Sequence, residues 1–371
     1  MAEQVNTQVQ AGQAYKLDPN MRLDQKKDGS LAWYSPKEGA FQVVGLPWFQ
    51  QEQIYRRLPV APEWPIRPEV DELANCTAGG QVRFRTDSTK LSVRVKLAGA
   101  ANMYHMPSTG QCGFDCYIGE PEQMKYAGTT RYDIALTEYE WIIFDWPELS
   151  PESRMITLNF PLYQGVEELE IGLLPGAVLE APTPYADNRK IIIYGTSITQ
   201  GGCAMRPGMA YPNIISRWMN YEIYNQGYSG NGRGDPEMAR LLADIDNPAM
   251  LVLDYEANSV SVEYYSQTLP EFVSIYREKH PTVPILIISK INYCYNHFQP
   301  SVVELNDIRR RLASELVEQR RAAGDRHIHF LDGAGLLGED YEECTVDGSH
   351  PTDLGFWRMA ERIAPVIRGL L

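Results

Sequence analysis

The sequence predicts two domains of different architecture: an antiparallel β-sandwich in residues 1–182, followed by an α/β domain with a parallel sheet in residues 183–371. Three observations carry this. The first half alternates apolar and polar residues with the period of half-buried strands. The second half alternates short, wholly apolar runs with helix-like stretches, as parallel strands buried on both faces do. Between them lies a Pro-containing segment, Glu180-Ala181-Pro182-Thr183-Pro184, where the period changes.

In chain order, Val82 and Phe84 alternate with Arg83 and Arg85, and Leu91, Val93, Val95 and Leu97 alternate with Ser92, Arg94 and Lys96. Both stretches read as half-buried strands. Further runs at 141–144, 155–160 and 169–174, separated by Pro and Gly, complete an antiparallel sandwich. In the second half the apolar runs 191–194, 250–253 and 285–288 are the parallel strands. One covering helix is well marked, with Leu305, Ile308, Leu312 and Leu316 on its apolar face and Arg309, Arg310, Glu315, Glu318 and Arg320 pointing to water. Asp353 is expected to cap a C-terminal helix starting near Leu354.

Composition narrows the class. At 371 residues, with 44% hydrophobic and 22% charged residues, the chain can bury a sizeable core and is not disordered. A net charge of −14 repels polyanions and argues against nucleic acid or an anionic membrane as partner. The six cysteines are too sparse for a disulfide framework and have no paired spacing for zinc, so free thiols are expected. The polar start MAEQVNTQVQAGQ lacks a secretory pattern, and no run approaches a membrane span, so a cytoplasmic location is expected of the chain as given. Oligomeric state is left open.

Four segments carry residues suited to chemistry. Strand 191–194 runs into Gly195-Thr196-Ser197, placing a hydroxyl at the carboxyl end of a strand, where open α/β sheets bind ligands. This is not the G-x-S-x-G elbow, because Thr199 stands two residues after Ser197. Alone, such a serine more often caps the next helix. The Gly-rich run Asn225-Gln226-Gly227-Tyr228-Ser229-Gly230-Asn231-Gly232-Arg233 lets backbone N–H groups approach a ligand, or is an ordinary loop. After strand 250–253 comes Asn258, a polar amide that alone more often stabilises a turn. Near the C-terminus, Asp347-Gly348-Ser349-His350 sets an acid three residues before a histidine, in a turn-rich stretch.

In the order Ser, Gly, Asn, then Asp-x-x-His, these blocks closely resemble the SGNH (GDSL-type) hydrolase superfamily. The resemblance implies a flavodoxin-like three-layer α/β fold with Ser197 as nucleophile, His350 as general base and Asp347 as orienting acid. It also implies an oxyanion hole of the Ser197 and Gly230 N–H groups and the Asn258 amide, with no metal and no cofactor. The stretch from Met103 to Gly110, followed by Gly113-Phe114-Asp115-Cys116-Tyr117, resembles the GxDLY motif of a jelly-roll-like sandwich that precedes the catalytic domain in a bacterial subfamily of these enzymes. Three positions depart from the pattern. Cys116 replaces Leu, Asp254-Tyr255-Glu256-Ala257-Asn258 replaces Gly-x-Asn-Asp, and Thr196 stands where many members carry Asp.

The chemistry behind this set is general. A serine hydroxyl is a poor nucleophile until an imidazole can take its proton, and a carboxylate fixes the tautomer of that imidazole. Arg206 and Arg233 follow the Ser and Gly blocks and are candidates to bind substrate, with salt bridges as the alternative. His105 and Asp115 would line the pocket if their loop overhangs the catalytic face, or else tie the two domains together. His327 and His329 share a face of a strand without a third ligand, and Cys203 is read as packing.

The expected function is a serine esterase removing short, acetyl-type groups, with an ester-bearing small molecule or oligosaccharide as substrate. The alternatives keep the triad for a lipase, thioesterase or acyltransferase, or make the chain a silent carbohydrate-binding protein. Intact Ser197, Asp347 and His350 weigh against the last, and the lack of a long apolar lid weighs against long acyl chains.

Overall fold

The computed structural model describes residues 29–371 together with Leu23. The polar N-terminal run on which the expected location rests lies outside the described residues. The first ten strands are β1 (Ala32–Tyr34), β2 (Gln42–Val44), β3 (Gln81–Thr86), β4 (Lys90–Leu97), β5 (Asp115–Ile118), β6 (Lys125–Thr129), β7 (Glu138–Asp145), β8 (Arg154–Asn159), β9 (Val166–Leu173) and β10 (Leu179–Glu180). They form two antiparallel sheets, ordered β1-β9-β4-β7 and β10-β3-β8-β5-β6, with β2 also paired to β3. Val82, Phe84, Ile156 and Leu158 from one sheet pack on Leu91, Val93, Leu169 and Ile171 from the other, which makes the sandwich core.

The alternation thus places the apolar residues correctly, but the outer face is not uniformly wet. Arg83 is almost fully buried, its guanidinium stacked 3.8 Å from the Tyr185 ring and donating to the Thr183 carbonyl at 2.9 Å. The segment between the domains folds back over this face, so what reads as a half-buried strand is covered on both sides.

Five strands follow: β11 (Lys190–Gly195), β12 (Glu222–Gly227), β13 (Pro248–Asp254), β14 (Ile285–Ile288) and β15 (Ile328–Leu331). They form a parallel sheet ordered β12-β11-β13-β14-β15, the 2-1-3-4-5 order of flavodoxin-like folds. Ile191 and Ile193 face helices Tyr211–Met219 and Asp353–Leu370, while Ile192 and Tyr194 face Pro236–Ala243, Val262–Lys279 and Pro300–Ala322. Burial on both faces explains why these strands are apolar throughout. The fold is therefore a three-layer α/β domain preceded by an antiparallel β-sandwich.

Two helix expectations are corrected. In Pro300–Ala322 the buried residues are Asn306, Ala313 and Val317, whereas Leu305 is 44% exposed. Leu316 still packs partly buried against this core, so the leucine stripe flanks the contact and leaves it at the Leu305 end. Asp353 does not cap the last helix. It is the first helical residue, and its carboxylate accepts the Met205 N–H at 2.8 Å, tying that helix to the loop after Ser197. Among the described residues no helix is long and apolar enough to cross a membrane.

Candidate active site

Strand β11 ends at Gly195, and the chain enters the short helix Ser197–Gln200. Thr196, not Ser197, is the capping residue: its hydroxyl accepts the Ile198 N–H at 3.2 Å, which leaves the Ser197 side chain uncommitted to the backbone. Ser197 Oγ lies 2.9 Å from His350 Nε2, and His350 Nδ1 lies 2.7 Å from Asp347 Oδ2. Residues 153 positions apart in sequence thus form one hydrogen-bonded chain.

The Asp347-to-His350 turn is held from several directions. Val346 N–H donates to the His350 carbonyl at 2.9 Å, and Cys294 N–H donates to the Gly348 carbonyl at 2.8 Å. Asp347 Oδ1 accepts the backbone N–H groups of His350 at 2.8 Å and Ser349 at 3.0 Å, and the Ser349 hydroxyl at 3.0 Å. Burial alone would raise the Asp347 carboxyl, but these donors and the His350 ring outweigh it and hold it well below the usual carboxylate range. Asp347 is therefore ionised at neutral pH and aimed at the imidazole.

Sheet register sets the rest of the site. Gly195 pairs with Gly227 of β12 on one side and with Asp254 of β13 on the other, so the turns after β12 and β13 flank the Ser197 block. Gly230 adopts a left-handed φ of 67°, and its N–H, like that of Ser197, has no acceptor among the described residues. Gly232 packs so closely that a Cβ there would lie 1.9 Å from the Gly195 carbonyl oxygen. Asn258 ends the turn Glu256–Asn258; its backbone N–H bonds the Tyr255 carbonyl at 3.0 Å, while its side-chain Oδ1 is buried without a partner among the described residues. Glu256 anchors this turn by accepting the Lys290 N–H at 3.0 Å, and burial pushes its carboxyl up to about 7.

The remaining candidates are placed as follows. Asp115 is fully buried: its carboxylate accepts from Asn159 Nδ2 at 2.7 Å, Gly208 N–H at 2.9 Å and Arg206 Nη1 at 2.7 Å. Arg206 also bonds the Tyr117 hydroxyl at 2.6 Å and covers the Tyr126 ring. The charges of this pair are thus spent in a network between the domains, the alternative that the sequence left open for both. Arg233 donates its Nε to the Gly230 carbonyl at 3.1 Å, bracing its own loop. His105 does reach the triad from the sandwich: its Nε2 is 4.0 Å from Asp347 Oδ2, and its ring meets that of His350 edge-on at 5.7 Å between centroids. Cys203 is buried with a left-handed φ of 77°, and burial pushes its thiol up to about 12. All six cysteines are free.

Several positioning residues carry no signal in the sequence. Arg57 is fully buried, donating to the carbonyls of Cys76 at 2.7 Å and Leu73 at 2.7 Å and to Gly227, with its guanidinium over Tyr228. Arg67 grips the Gly-rich loop through Asn231 Oδ1 and the Asn231 carbonyl, both at 2.7 Å, and through Asp235. Gln200 accepts the Ser229 N–H at 3.0 Å, and the Tyr163 hydroxyl donates to the Ser197 carbonyl at 3.1 Å. Within the α/β domain, Asp254 accepts from Tyr211 at 2.8 Å and Thr199 at 3.0 Å, and its carboxyl is pushed up to about 7 by burial. No local motif reveals these braces, since donor and acceptor lie from 16 to 170 positions apart in the chain.

A 2-1-3-4-5 parallel sheet with a Ser-His-Asp hydrogen-bonded chain at its carboxyl edge defines an SGNH-type α/β hydrolase. Residues 188–368 match the GDSL-like lipase/acylhydrolase family model, and residues 31–179 match the model for the N-terminus of SGNH-hydrolase-type esterases. The chain belongs to the GDSL-like lipase/acylhydrolase family. A structure from Bacteroides ovatus described as a GDSL-like lipase is 30% identical, with 92% of this chain and 98% of that one covered at a TM-score of 0.83. The salicylyl-acyltransferase SsfX3 of a tetracycline biosynthetic pathway is similar over 93% of this chain and 99% of its own, at 21% identity and a TM-score of 0.74. A family two carbohydrate esterase from Cellvibrio japonicus covers 92% of this chain and 98% of its own, at 13% identity and a TM-score of 0.56. No curated protein gives a significant sequence match.

Proposed function

We propose that the protein is a serine esterase that removes short acyl groups, acetyl above all, from carbohydrate esters. The observation that carries the reading is the unbroken chain from Ser197 Oγ through His350 to Asp347, at 2.9 and 2.7 Å. In the first step His350 Nε2 takes the Ser197 proton as Oγ attacks the ester carbonyl, and Asp347 stabilises the imidazolium. The negative charge on the carbonyl oxygen falls to the N–H groups of Ser197 and Gly230 and the Asn258 amide, each typically worth ~10²–10³ in rate. Collapse expels the sugar hydroxyl, which takes its proton from His350. Water then attacks acyl-Ser197 with His350 again as base, releasing the acid.

The carbohydrate esterase from Cellvibrio japonicus among the structural relatives supports the choice of substrate class. The test is hydrolysis of p-nitrophenyl esters from acetate to octanoate, then of acetylated sugars, by wild type and Ser197→Ala in EDTA. Preference for acetate, with loss of activity in Ser197→Ala, supports the reading. Preference for octanoate, or acyl transfer to an added alcohol in place of hydrolysis, supports the lipase or acyltransferase alternative. Undiminished activity in Ser197→Ala refutes the triad.

A further inference from the structure

We propose that His105, Cys203 and His350 form a binding site for a borderline-soft divalent cation of the Zn²⁺ type, and that occupying it switches the hydrolase off. The inference rests on the triad reading above for its effect on activity, but not for the site itself.

One ring nitrogen of each imidazole and the Cys203 sulfur lie within 4.8 Å of one another. Zinc takes nitrogen at ~2.0–2.1 Å and thiolate sulfur at ~2.3 Å in a tetrahedron, so its ligand atoms sit roughly 3.3–3.8 Å apart. The group needs to contract by about 1 Å, and His105 has the freedom to supply it. Its Nδ1 is buried without a hydrogen-bond partner among the described residues, and its Nε2 lies 4.0 Å from the Asp347 carboxylate. An imidazole whose Nδ1 has no hydrogen-bond partner among the described residues, beside a thiol and a carboxylate, is a donor set suited to a cation. Two imidazoles and a sulfur suit Zn²⁺ and exclude Mg²⁺ and Ca²⁺, which require oxygen.

The three ligands come from three places: a sandwich loop, the turn after the Ser197 helix, and the C-terminal turn. Cys203 is aimed inward by that turn, in which the Gly202 N–H returns to the Ser197 carbonyl at 2.8 Å and the Ala204 N–H to the Gly201 carbonyl at 3.1 Å. Asp347 already holds His350 Nδ1, the carboxylate–histidine arrangement that orients metal ligands. The nitrogen left to a metal is Nε2, the atom that contacts Ser197 Oγ. It cannot bind a cation and accept the serine proton at once, so occupancy and catalysis exclude each other.

The test uses the full chain freed of metal with a chelator. Calorimetric titration with Zn²⁺ should give one ion per chain, and Co²⁺ should give a thiolate charge-transfer band. Cys203→Ser should keep basal esterase activity, lose the Co²⁺ band and bind Zn²⁺ at least about tenfold more weakly. His105→Gln, read by titration alone, should weaken binding similarly. Zn²⁺ should inhibit the wild type in proportion to occupancy, with EDTA restoring the rate. Absence of saturable one-to-one binding, or binding unchanged in both variants, overturns the site. Saturable binding without inhibition overturns the switch. A wild type with no esterase activity refutes the triad reading instead, and the titration still decides the site.

Discussion

Replacing Asp347 by Asn tests whether the carboxylate sets the tautomer of His350. Its Oδ1 accepts three donors, the N–H groups of His350 and Ser349 and the Ser349 hydroxyl, while Oδ2 accepts the imidazole. An asparagine must place its single oxygen on one side. Three donors outweigh one, so the oxygen keeps the Oδ1 position and the NH₂ faces His350 Nδ1. That nitrogen then becomes an acceptor, the ring's proton moves to Nε2, and Nε2 can no longer take a proton from Ser197. The fold is unchanged, since the turn keeps its hydrogen bonds. The loss expected for a wrong tautomer is ~10⁴ in kcat, or about 5 kcal/mol of transition-state stabilisation, with little change in KM. The assay is steady-state hydrolysis of p-nitrophenyl acetate, with thermal unfolding as control. Activity within about tenfold of wild type at unchanged stability would refute the assignment of Asp347 as the orienting acid.

Three further outcomes are expected. Asp115→Ala strips the buried partner from Arg206 and from the Gly208 N–H, so it should cost about 3–5 kcal/mol in urea denaturation; a change confined to KM would restore the substrate-binding reading. Gly232→Ala drives a Cβ into the Gly195 carbonyl and should abolish activity, whereas Gly230→Ala meets open space and should cost only about 1 kcal/mol of left-handed strain in stability; equal loss of fold and activity in both would contradict this packing. Glu256 is raised to about 7 in the folded protein, so the folded state holds its proton more tightly than the unfolded one. Its contribution to stability is therefore full below about 4.5 and lost as pH rises through about 7. Glu256→Gln should flatten that slope and gain, relative to wild type, at most about 3 kcal/mol at pH 8 over pH 5, and an identical pH dependence in unfolding experiments would disprove it.

The parts of the site legible in the sequence are those whose signal is local. Ser197 follows an apolar strand, Gly230 lies in a Gly-rich turn, and Asp347 precedes His350 by three residues, so each block shows its own spacing. Thr196 was legible as a departure from the family pattern, and its role as helix cap follows from one local hydrogen bond. The roles of Asp115 and Arg206 were not legible. Nothing near Asp115 in the chain shows that Gly208 and Arg206 close over it, and without that contact a buried structural carboxylate reads the same as one that binds substrate.

The same division runs through the whole molecule. The sequence alone determined the strand periods, the change of architecture near the Pro-containing segment and the order of the four chemical blocks, because strand pleat, turn preference and helix capping act over a few residues. Only the tertiary structure decided which faces are covered and what each charge meets. It buried Arg83 under Tyr185, moved the contact face of Pro300–Ala322 from Leu305 to Asn306, set Arg57 and Arg67 against the Gly-rich loop, and brought His105 of the sandwich beside His350. The contacts of Arg83, Arg57, Arg67 and His105 join segments a hundred residues or more apart, so their energies depend on how the two domains pack rather than on any pattern written along the chain.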